Sequence, residues 1–255
     1  MSDNKKTAKP NVHAGHRERM RTRYKRSGFD DFQPHEVLEF MLFRTIPRAN
    51  TNPIAHNLIN HFGSFYNVLC ATYDELLEVE GIGPKSAEMI LEIGSLGRKA
   101  KLDEIASTPL KTWDKLYLYT TEWFAGKLMG TVAVILLDAS RKVIQTCTLA
   151  EEHLRRPMDY AETILVLCQK HGASNAVLMH NHADGVMAPS IEDLDLTKSI
   201  YDILEANGIT LLEHVIVWKL DAIPCLNEAM QKELSGFPLK HVTVSDYRAA
   251  EYYLF

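Results

Sequence analysis

Two histidines and an aspartate in the second half of the sequence have the spacing of a metal site. His180 and His182 flank one residue at the end of a short apolar run, and Asp193 follows after ten intervening residues. Histidines at positions i and i+2 leaving a strand can direct both imidazoles to one side, where a carboxylate from the next helix supplies a third ligand. Two imidazoles, a carboxylate and an open fourth position form the usual ligand set of a catalytic zinc. We therefore expect one Zn²⁺ ion per chain.

A purely structural interpretation competes with the metal site. A pair of loop histidines that hydrogen-bond to Asp193 would have the same residue types, and a His-x-His pair alone favours that interpretation. The spaced aspartate and the change from strand to helix between His182 and Asp193 favour the metal.

The hydrophobic pattern around these ligands predicts an α/β fold, a sheet with packed helices. Apolar and β-branched runs at strand spacing alternate with segments of helical spacing in the order β-β-α-β-α-β. His180 would end the third strand, and Asp193 would lie early in the helix that begins near Ser190. The predicted elements are strands at 131–137 and 142–148, a helix at 160–172, a strand at 176–179, a helix at 190–207 and a strand at 211–218.

The N-terminal part of the chain has the pattern of an all-α domain. Apolar residues recur every three or four positions from His16 to about Lys101, and glycines and prolines separate the runs into four or five short helices. The predicted division is a basic flexible arm at 1–14, a helical domain at 15–102, a linker at 103–114, an α/β domain at 115–235 and a C-terminal extension at 236–255.

A helix-hairpin-helix pattern occupies the end of the helical domain. Gly81 and Gly83 flank the apolar Ile82 and permit a tight turn, and the backbone amide of Gly83 would lie near a helix N-terminus that can hold a phosphate. Lys85 would add positive charge. The same hairpin can also serve only to pack two helices, and a single copy binds DNA weakly.

The charge distribution is uneven along the chain. The net charge is −5, yet residues 1–26 carry nine Lys or Arg against two acidic residues, a net +7. Such a segment can bind phosphates weakly and without sequence preference, which makes nucleic acid a candidate partner. A solvated tail that aids solubility has the same composition, and both interpretations stay open.

Composition excludes several classes of protein. A chain of 255 residues with 46% hydrophobic residues can bury a core without disulfide or metal crosslinks. No run approaches the roughly 18 apolar residues of a membrane span, and the four cysteines form no CxxC pair. We expect a cytoplasmic protein with reduced thiols and no membrane association.

The metal-ligand pattern resembles the JAMM motif of JAB/MPN metallopeptidases. In that motif both histidines and the aspartate bind zinc, and a serine at the position of Ser190 polarises the substrate carbonyl or stabilises its oxyanion. The wider similarity is to the RadC family (UPF0758). It extends over most of residues 15–218 and is carried by the segments GHRER at 15–19, IPR at 46–48, TNPIAH at 51–56, VEGIG at 79–83, APS at 188–190 and LLEHVIV at 211–217. The resemblance implies a helix-hairpin-helix domain followed by a JAB/MPN-type mixed sheet.

The sequence differs from that family pattern at the general acid/base. JAMM enzymes carry a glutamate at the start of the first apolar strand, where this chain has Gly130 or Thr131. Neither side chain can transfer a proton, and the loss of a general acid/base lowers a rate by roughly 10²–10⁴. Glu122 and Glu213 are candidate replacements, although ordinary surface or strand-edge carboxylates have the same sequence signal. His214 is a candidate partner for a metal-binding histidine, or else a buried histidine with a satisfied hydrogen bond.

Two functions fit these features. The first is a zinc metallopeptidase that hydrolyses amide or isopeptide bonds in a peptide or protein substrate. The second is a catalytically silent metal-binding module whose helix-hairpin-helix domain contacts DNA or protein. The intact ligand set and Ser190 favour the first function, and the missing glutamate favours the second.

Overall fold

The computed structural model describes residues 15–149, 156–182 and 185–225. The predicted basic arm at 1–14 and C-terminal extension at 236–255 lie outside the described residues. The chain divides into two compact units, residues 1–97 and 98–255, which we call the N-terminal unit and the C-terminal unit. Within the described ranges, no helix has the length and apolar character needed to cross a membrane.

The N-terminal unit is helical, as its periodicity predicts. Its core consists of fully buried side chains from successive short helices, among them Leu38, Leu58, Leu76 and Ile90. Prolines at the first turns of α2, α3 and α6 suit positions that have no intrahelical N–H bond to lose. The helices are α1 (His16–Ser27), α2 (Pro34–Leu42), α3 (Asn52–Phe62), α4 (Phe65–Cys70), α5 (Tyr73–Leu77) and α6 (Pro84–Ala106).

The predicted linker at 103–114 contains more structure than its composition indicates. Helix α6 continues to Ala106, and α7 (Trp113–Phe124) begins before the predicted linker ends. Leu110 and Trp113 are buried in the core of the C-terminal unit. A few large apolar residues suffice to bind this segment to the core, although they are too sparse to give a periodic signal.

The C-terminal unit is built on a five-stranded mixed sheet. The strand order is β2-β1-β3-β4-β5, in which β3 and β4 run parallel and all other neighbours are antiparallel. The elements are β1 (Val132–Leu137), β2 (Val143–Leu149), α8 (Pro157–His171), β3 (Asn175–Asn181), α9 (Ile191–Ala206), β4 (Thr210–Trp218) and β5 (Asp221–Pro224). The predicted fold class is confirmed, and among the described residues of this unit the sequence patterns missed only α7 and the short β5.

Alternation of side chains gives the sheet two buried faces. Ile135 and Met179 face a cluster that includes residues of α7, whereas Val134 and Leu178 face a cluster that includes residues of α8 and α9. We call these the α7 face and the α9 face. Because β3 and β4 are parallel, the chain must cross over between them, and α9 makes that crossover. The end of β3 therefore meets the N-terminus of α9, which brings the predicted ligands together.

Candidate metal centre

The last residues of β3 provide two imidazoles on the α9 face. His180 lies two positions beyond Leu178, which packs on that face, and His182 follows directly after the strand. The His180 side chain is mostly buried, that of His182 is partly exposed, and their ring centroids are 4.7 Å apart. The spacing of two residues thus brings both rings to one place, as the sequence predicts.

Asp193 enters the site from the first turn of α9. Its position is held by a capping box in which the Asp193 backbone N–H donates to Ser190 Oγ at 3.1 Å. In return, the backbone N–H and the hydroxyl of Ser190 donate to Asp193 Oδ2 at 2.8 and 2.7 Å. Oδ2 is therefore anchored to the helix cap, and Oδ1 is directed at His180.

The three side chains converge through specific atoms. His180 Nε2 lies 3.1 Å from Asp193 Oδ1, and His182 Nε2 lies 3.3 Å from Asp193 Oδ2. One ligand atom from each of the three residues falls within 4.8 Å of the others, and no other group of this kind occurs among the described residues. His180 Nε2 is buried and makes no hydrogen bond. An imidazole nitrogen buried without a hydrogen bond is costly unless it serves as a ligand, so these residues fit a metal ion.

The outer side of His182 has a defined partner. Its Nδ1 lies 2.7 Å from the carbonyl oxygen of Val186, which can only accept, so Nδ1 carries the proton and, in the neutral ring, Nε2 carries the lone pair. The chain just before Val186 needs a glycine, because Gly185 has a φ of +75° and a Cβ there would lie 3.0 Å from the Trp218 ring. Gly185 thereby allows the backbone to lie close to the Trp218 ring.

The electrostatics of the site favour a neutral histidine beside an ionised aspartate. Burial lowers the pKa of His180 to about 4, and this effect outweighs the nearby Asp193 carboxylate, which raises it. Burial alone would raise the pKa of Asp193, but hydrogen bonds from Ser190 and the charge of nearby histidines lower it below its usual value. Neutral imidazole and ionised carboxylate are the protonation states that bind a metal.

Comparison with known proteins identifies the family of this chain. Residues 110–229 match the model of the RadC-like JAB domain, and residues 67–93 match that of the helix-hairpin-helix motif. A UPF0758 protein of Fusobacterium nucleatum is 31% identical over 224 residues, which cover 85% of this chain and 97% of that protein. A UPF0758 protein of Ruegeria pomeroyi is 33% identical over 216 residues, 82% of this chain and 94% of that protein.

The chain belongs to the RadC family. The resemblance drawn from its sequence motifs is confirmed, and so is the pairing of a helix-hairpin-helix motif with a JAB domain on a mixed sheet. Within this RadC protein, the positions that concern a general acid/base can now be located on the fold.

Gly130 and Thr131 form a β-bulge beside the site. The Gly130 backbone N–H donates to the Asn181 carbonyl, and the Asn181 N–H donates to the Thr131 carbonyl, both at 3.2 Å. Gly130 takes a φ of +75°, as the first residue of a bulge of this type requires. Both residues thus lie opposite Asn181, the residue between the two histidines in sequence. Neither Gly130 nor Thr131 carries a group that can transfer a proton.

The two candidate replacements lie on the other side of the sheet. Glu122 is a buried residue of α7, and its carboxylate pairs with Lys101 at 2.9 Å. Glu213 alternates along β4 with Val215 on the α7 face, and its carboxylate accepts a bond from the backbone N–H of His214 at 2.8 Å. Neither residue is part of the ligand group formed by the histidines and Asp193 on the α9 face.

The sequence identified His214 as a candidate partner but provided no sign of its neighbour Thr197. His214 is completely buried on the α9 side of β4, and its Nε2 lies 2.8 Å from His180 Nδ1. Thr197, one turn beyond Asp193 in α9, is also completely buried and lies 2.6 Å from His214 Nδ1. A threonine within an amphipathic helix has no distinctive sequence signal, so only the contact reveals it.

The residues predicted for phosphate binding differ in their surroundings. Gly81 has a φ of +93°, and a Cβ there would lie 2.7 Å from the Ile54 side chain, so this glycine is required by the hairpin itself. Nothing lies within 4 Å of a Cβ on Gly83, and Lys85 is exposed in the first turn of α6. Gly81 and Lys85 are exposed and Gly83 is partly exposed, so an external ligand could reach all three.

Several arginines of the basic N-terminal segment are used within the fold. Arg17 donates to the carbonyls of Ile46, Pro47 and Ala49, and its guanidinium lies over the Phe43 ring. Arg23 lies over a ring too, that of Phe32, and pairs with Glu36 at 2.7 Å. These contacts stabilise α1 and the loop after α2, so the two arginines contribute less to an external electrostatic surface than their formal charge indicates.

Proposed function

We propose that the C-terminal unit binds zinc through His180, His182 and Asp193 and is a hydrolase of amide or isopeptide bonds with slow turnover. The observation that best supports a metal ion is the buried Nε2 of His180, which has no hydrogen-bond partner and lies 3.1 Å from a carboxylate oxygen. A peptide or protein is the proposed substrate, because the JAB domain and the position of Ser190 resemble those of the JAMM enzymes.

The protein side chains have separate roles in this proposal. A zinc ion would supply Lewis-acid chemistry, polarising a carbonyl and making water a nucleophile near neutral pH. His180 and His182 would ligate through Nε2 and Asp193 through its carboxylate. Ser190 would donate its hydroxyl to the substrate oxygen, for which that hydroxyl must exchange its 2.7 Å bond to Asp193 Oδ2 for one to the substrate.

Slow turnover is expected because, among the residues that the structure describes, none of the candidate acids lies at the site to protonate the leaving nitrogen. The bulge residues Gly130 and Thr131 carry no acid, and Glu122 and Glu213 lie on the α7 face. The expected deficit is roughly 10²–10⁴ relative to an enzyme with a general acid/base. The same deficit favours the second candidate function, a metal-binding module without catalysis.

Metal analysis tests the ligand set. Purified protein loaded with zinc and dialysed should retain about one ion per chain. His182→Ala should retain much less, because only two ligands remain. His171→Ala is the matched control, since His171 lies in the last turn of α8, outside the ligand group, and should retain the wild-type amount. Equal zinc in wild type and His182→Ala would remove His182 from the ligand set.

Activity measurements test the slow turnover. The zinc-loaded protein should hydrolyse amide and isopeptide substrates little above background. Thr131→Glu returns a carboxylate to the bulge and should raise the rate, whereas Gly130→Glu also places a large side chain at φ +75° and should cost stability. Robust wild-type hydrolysis that vanishes in Asp193→Ala would contradict the proposal and make Glu122 and Glu213 the next residues to substitute.

Nucleic-acid binding by the helix-hairpin-helix motif is a second candidate function, supported by the open backbone at Gly83 and the exposed Lys85. Such binding should be weak, independent of sequence and steeply dependent on salt. Lys85→Gln should lower the salt slope by about one. Lys111→Gln removes an exposed charge outside the motif and should change the slope less. Binding that ignored salt would contradict this role.

A further inference from the structure

Two buried polar side chains lie behind His180 at the proposed metal centre. His214 from β4 and Thr197 from α9 are completely buried there. His214 contacts His180, 34 positions earlier in the sequence, and Thr197 contacts His214, 17 positions later. Starting from Asp193, contacts run through Thr197 and His214 to His180, whose Nε2 faces the Asp193 carboxylate again. The proposed ligands on β3 and α9 are thus joined by a closed circuit that passes through β4.

The direction of the hydrogen bonds in this circuit starts at Thr197. Its Oγ lies 2.6 Å from the carbonyl oxygen of Asp193. Two oxygens at that distance need a hydrogen between them, and only the hydroxyl has one, so Thr197 donates to Asp193. The Thr197 Oγ must then accept from His214 Nδ1, which carries its proton.

The rest of the circuit follows from the chemistry of a neutral imidazole, which has one donor and one acceptor nitrogen. Since His214 donates through Nδ1, its Nε2 accepts. The atom 2.8 Å away is His180 Nδ1, which must be the donor. His180 then has no proton on Nε2, in agreement with the buried Nε2 that makes no hydrogen bond.

We propose that Thr197 and His214 are positioning residues that hold His180 in the Nδ1–H tautomer and direct its Nε2 lone pair to the metal. The metal-binding part of this inference rests on the proposed function, whereas the tautomer does not. Val186 does the same for His182 through a backbone carbonyl, so each ligand imidazole has its outer nitrogen fixed by a different element.

The tautomer can be measured without metal. Long-range ¹H–¹⁵N correlation spectra of the metal-free, histidine-labelled protein, assigned with His180→Gln, distinguish a protonated Nδ1 from a protonated Nε2. We expect His180 and His214 both protonated at Nδ1 in wild type. A proton on His180 Nε2 in the wild type would overturn the proposed tautomer.

Zinc affinity measures the positioning role. Thr197→Val removes the acceptor of the His214 proton with little change in volume and should weaken zinc binding by about 10- to 100-fold, the usual effect of removing an outer partner of a ligand. Thr197→Ser keeps the hydroxyl and should bind within about threefold of wild type. His214→Phe should weaken binding at least as much as Thr197→Val, and Thr197→Val provides the answer if the buried phenylalanine prevents folding.

Thr163→Val is the matched control. Thr163 donates to the carbonyl four residues earlier in α8 at 2.7 Å, the same helical bond that Thr197 makes, but it has no histidine partner. Its zinc affinity should equal that of wild type. Equal affinities in wild type, Thr197→Val and His214→Phe would overturn the positioning role while leaving the proposed function intact. A wild type that bound no zinc would overturn the proposed function. The tautomer measured in the metal-free protein would then support or overturn the hydrogen-bond circuit by itself.

Discussion

Each unit of the molecule contains a histidine beside a carboxylate, and the two pairs differ in what surrounds them. In the N-terminal unit, Glu39 is buried, with Oε1 bonded to His16 Nε2 at 2.9 Å and Oε2 bonded to Asn52 Nδ2 at 3.1 Å. Each carboxylate oxygen therefore has a partner. In the C-terminal unit, Asp193 Oδ2 is satisfied by Ser190, but Oδ1 faces His180 Nε2 with no hydrogen bond between them.

The difference separates a cluster whose polar atoms are satisfied within the protein from the proposed ligand site. A buried polar group normally finds its partners within the protein, because leaving one unsatisfied costs about 1–3 kcal/mol. The Glu39 cluster obeys this rule and joins α1, α2 and α3. The Asp193 cluster leaves the buried Nε2 of His180 without a hydrogen bond, although the Nδ1 atoms of both histidines are hydrogen-bonded, an arrangement that a metal ion would complete. The family resemblance covers both clusters, and their hydrogen bonds distinguish them.

The largest expected difference between the clusters is in metal binding. Asp193→Asn removes the charged ligand and should weaken zinc binding by about 100-fold or more, beyond the effect of changing an outer partner. Asp159→Asn is the matched control, because Asp159 occupies the same capping-box position in α8. Calorimetric titration with zinc measures both. Tight binding by Asp193→Asn would place the metal elsewhere.

Substitution in the Glu39 cluster should change the stability of the N-terminal unit and leave metal binding unchanged. Glu39→Ala leaves Asn52 and His16 without their acceptor and should destabilise the N-terminal unit by about 1–3 kcal/mol, with zinc affinity unchanged. Amide hydrogen exchange measures the N-terminal unit. Glu18→Ala, which removes only an exposed pair with Arg21, should cost no more than about 0.5 kcal/mol.

A second probe separates the two units in that experiment. The three tryptophans, Trp113, Trp123 and Trp218, all lie in the C-terminal unit, so their fluorescence follows that unit alone. Glu39→Ala should leave the fluorescence-detected unfolding of the zinc-free protein unchanged. A loss of zinc affinity in Glu39→Ala would break the distinction between the clusters.

Acid should destabilise the metal-free C-terminal unit through its buried histidines. The folded pKa of His180 is lowered to about 4 by burial, below the usual value of about 6.5 in the unfolded chain. The unfolded state therefore binds more protons, and the stability that is present above about pH 6.5 is lost as the pH falls toward 4. His214, whose pKa burial also lowers, adds to the loss with the same sign.

The expected size is on the order of 2 kcal/mol between about pH 7.5 and about pH 5 for His180 alone. Urea unfolding followed by tryptophan fluorescence in the presence of a chelator measures it. His180→Gln should reduce the dependence on pH, since one of the two histidines is then absent. An unfolding free energy that rose on acidification would refute the assignment of neutral, buried imidazoles.

The smallest effects concern two serine caps. Ser190 caps α9 and Ser64 caps α4, and each accepts from the backbone N–H three residues on at 3.1 Å. Ser190→Ala and Ser64→Ala should each cost about 1 kcal/mol. Only Ser190→Ala should also weaken zinc binding, by about tenfold, because Ser190 orients the Asp193 carboxylate. Equal zinc affinity in the two variants would show that the backbone N–H of Ser190 orients Asp193 without the hydroxyl.

The sequence by itself determined most of the elements and brought His180, His182 and Asp193 together as the proposed ligands. Strand and helix periods are local properties, so the order of β1, β2, α8, β3, α9 and β4 could be read from them. His180, His182 and Asp193 lie within one strand-to-helix connection, and their convergence follows from that connection alone. The sequence patterns did not predict β5, because four residues give little periodic signal, or α7, because its apolar pattern is uneven.

Only the tertiary structure decided which residues surround the ligands. His214 reaches His180 because β3 and β4 pair in parallel with Leu178 opposite His214, a register that no local pattern encodes. Thr197 joins them because α9 packs on the same face of the sheet. Glu213 lies on the opposite face from its neighbour His214 because side chains alternate along a strand, and Glu122 lies there because it belongs to α7. The proposed ligands of this RadC protein follow from short-range spacing, whereas the hydrogen-bond partners of His180 depend on pairing between distant segments, which only the packed chain specifies.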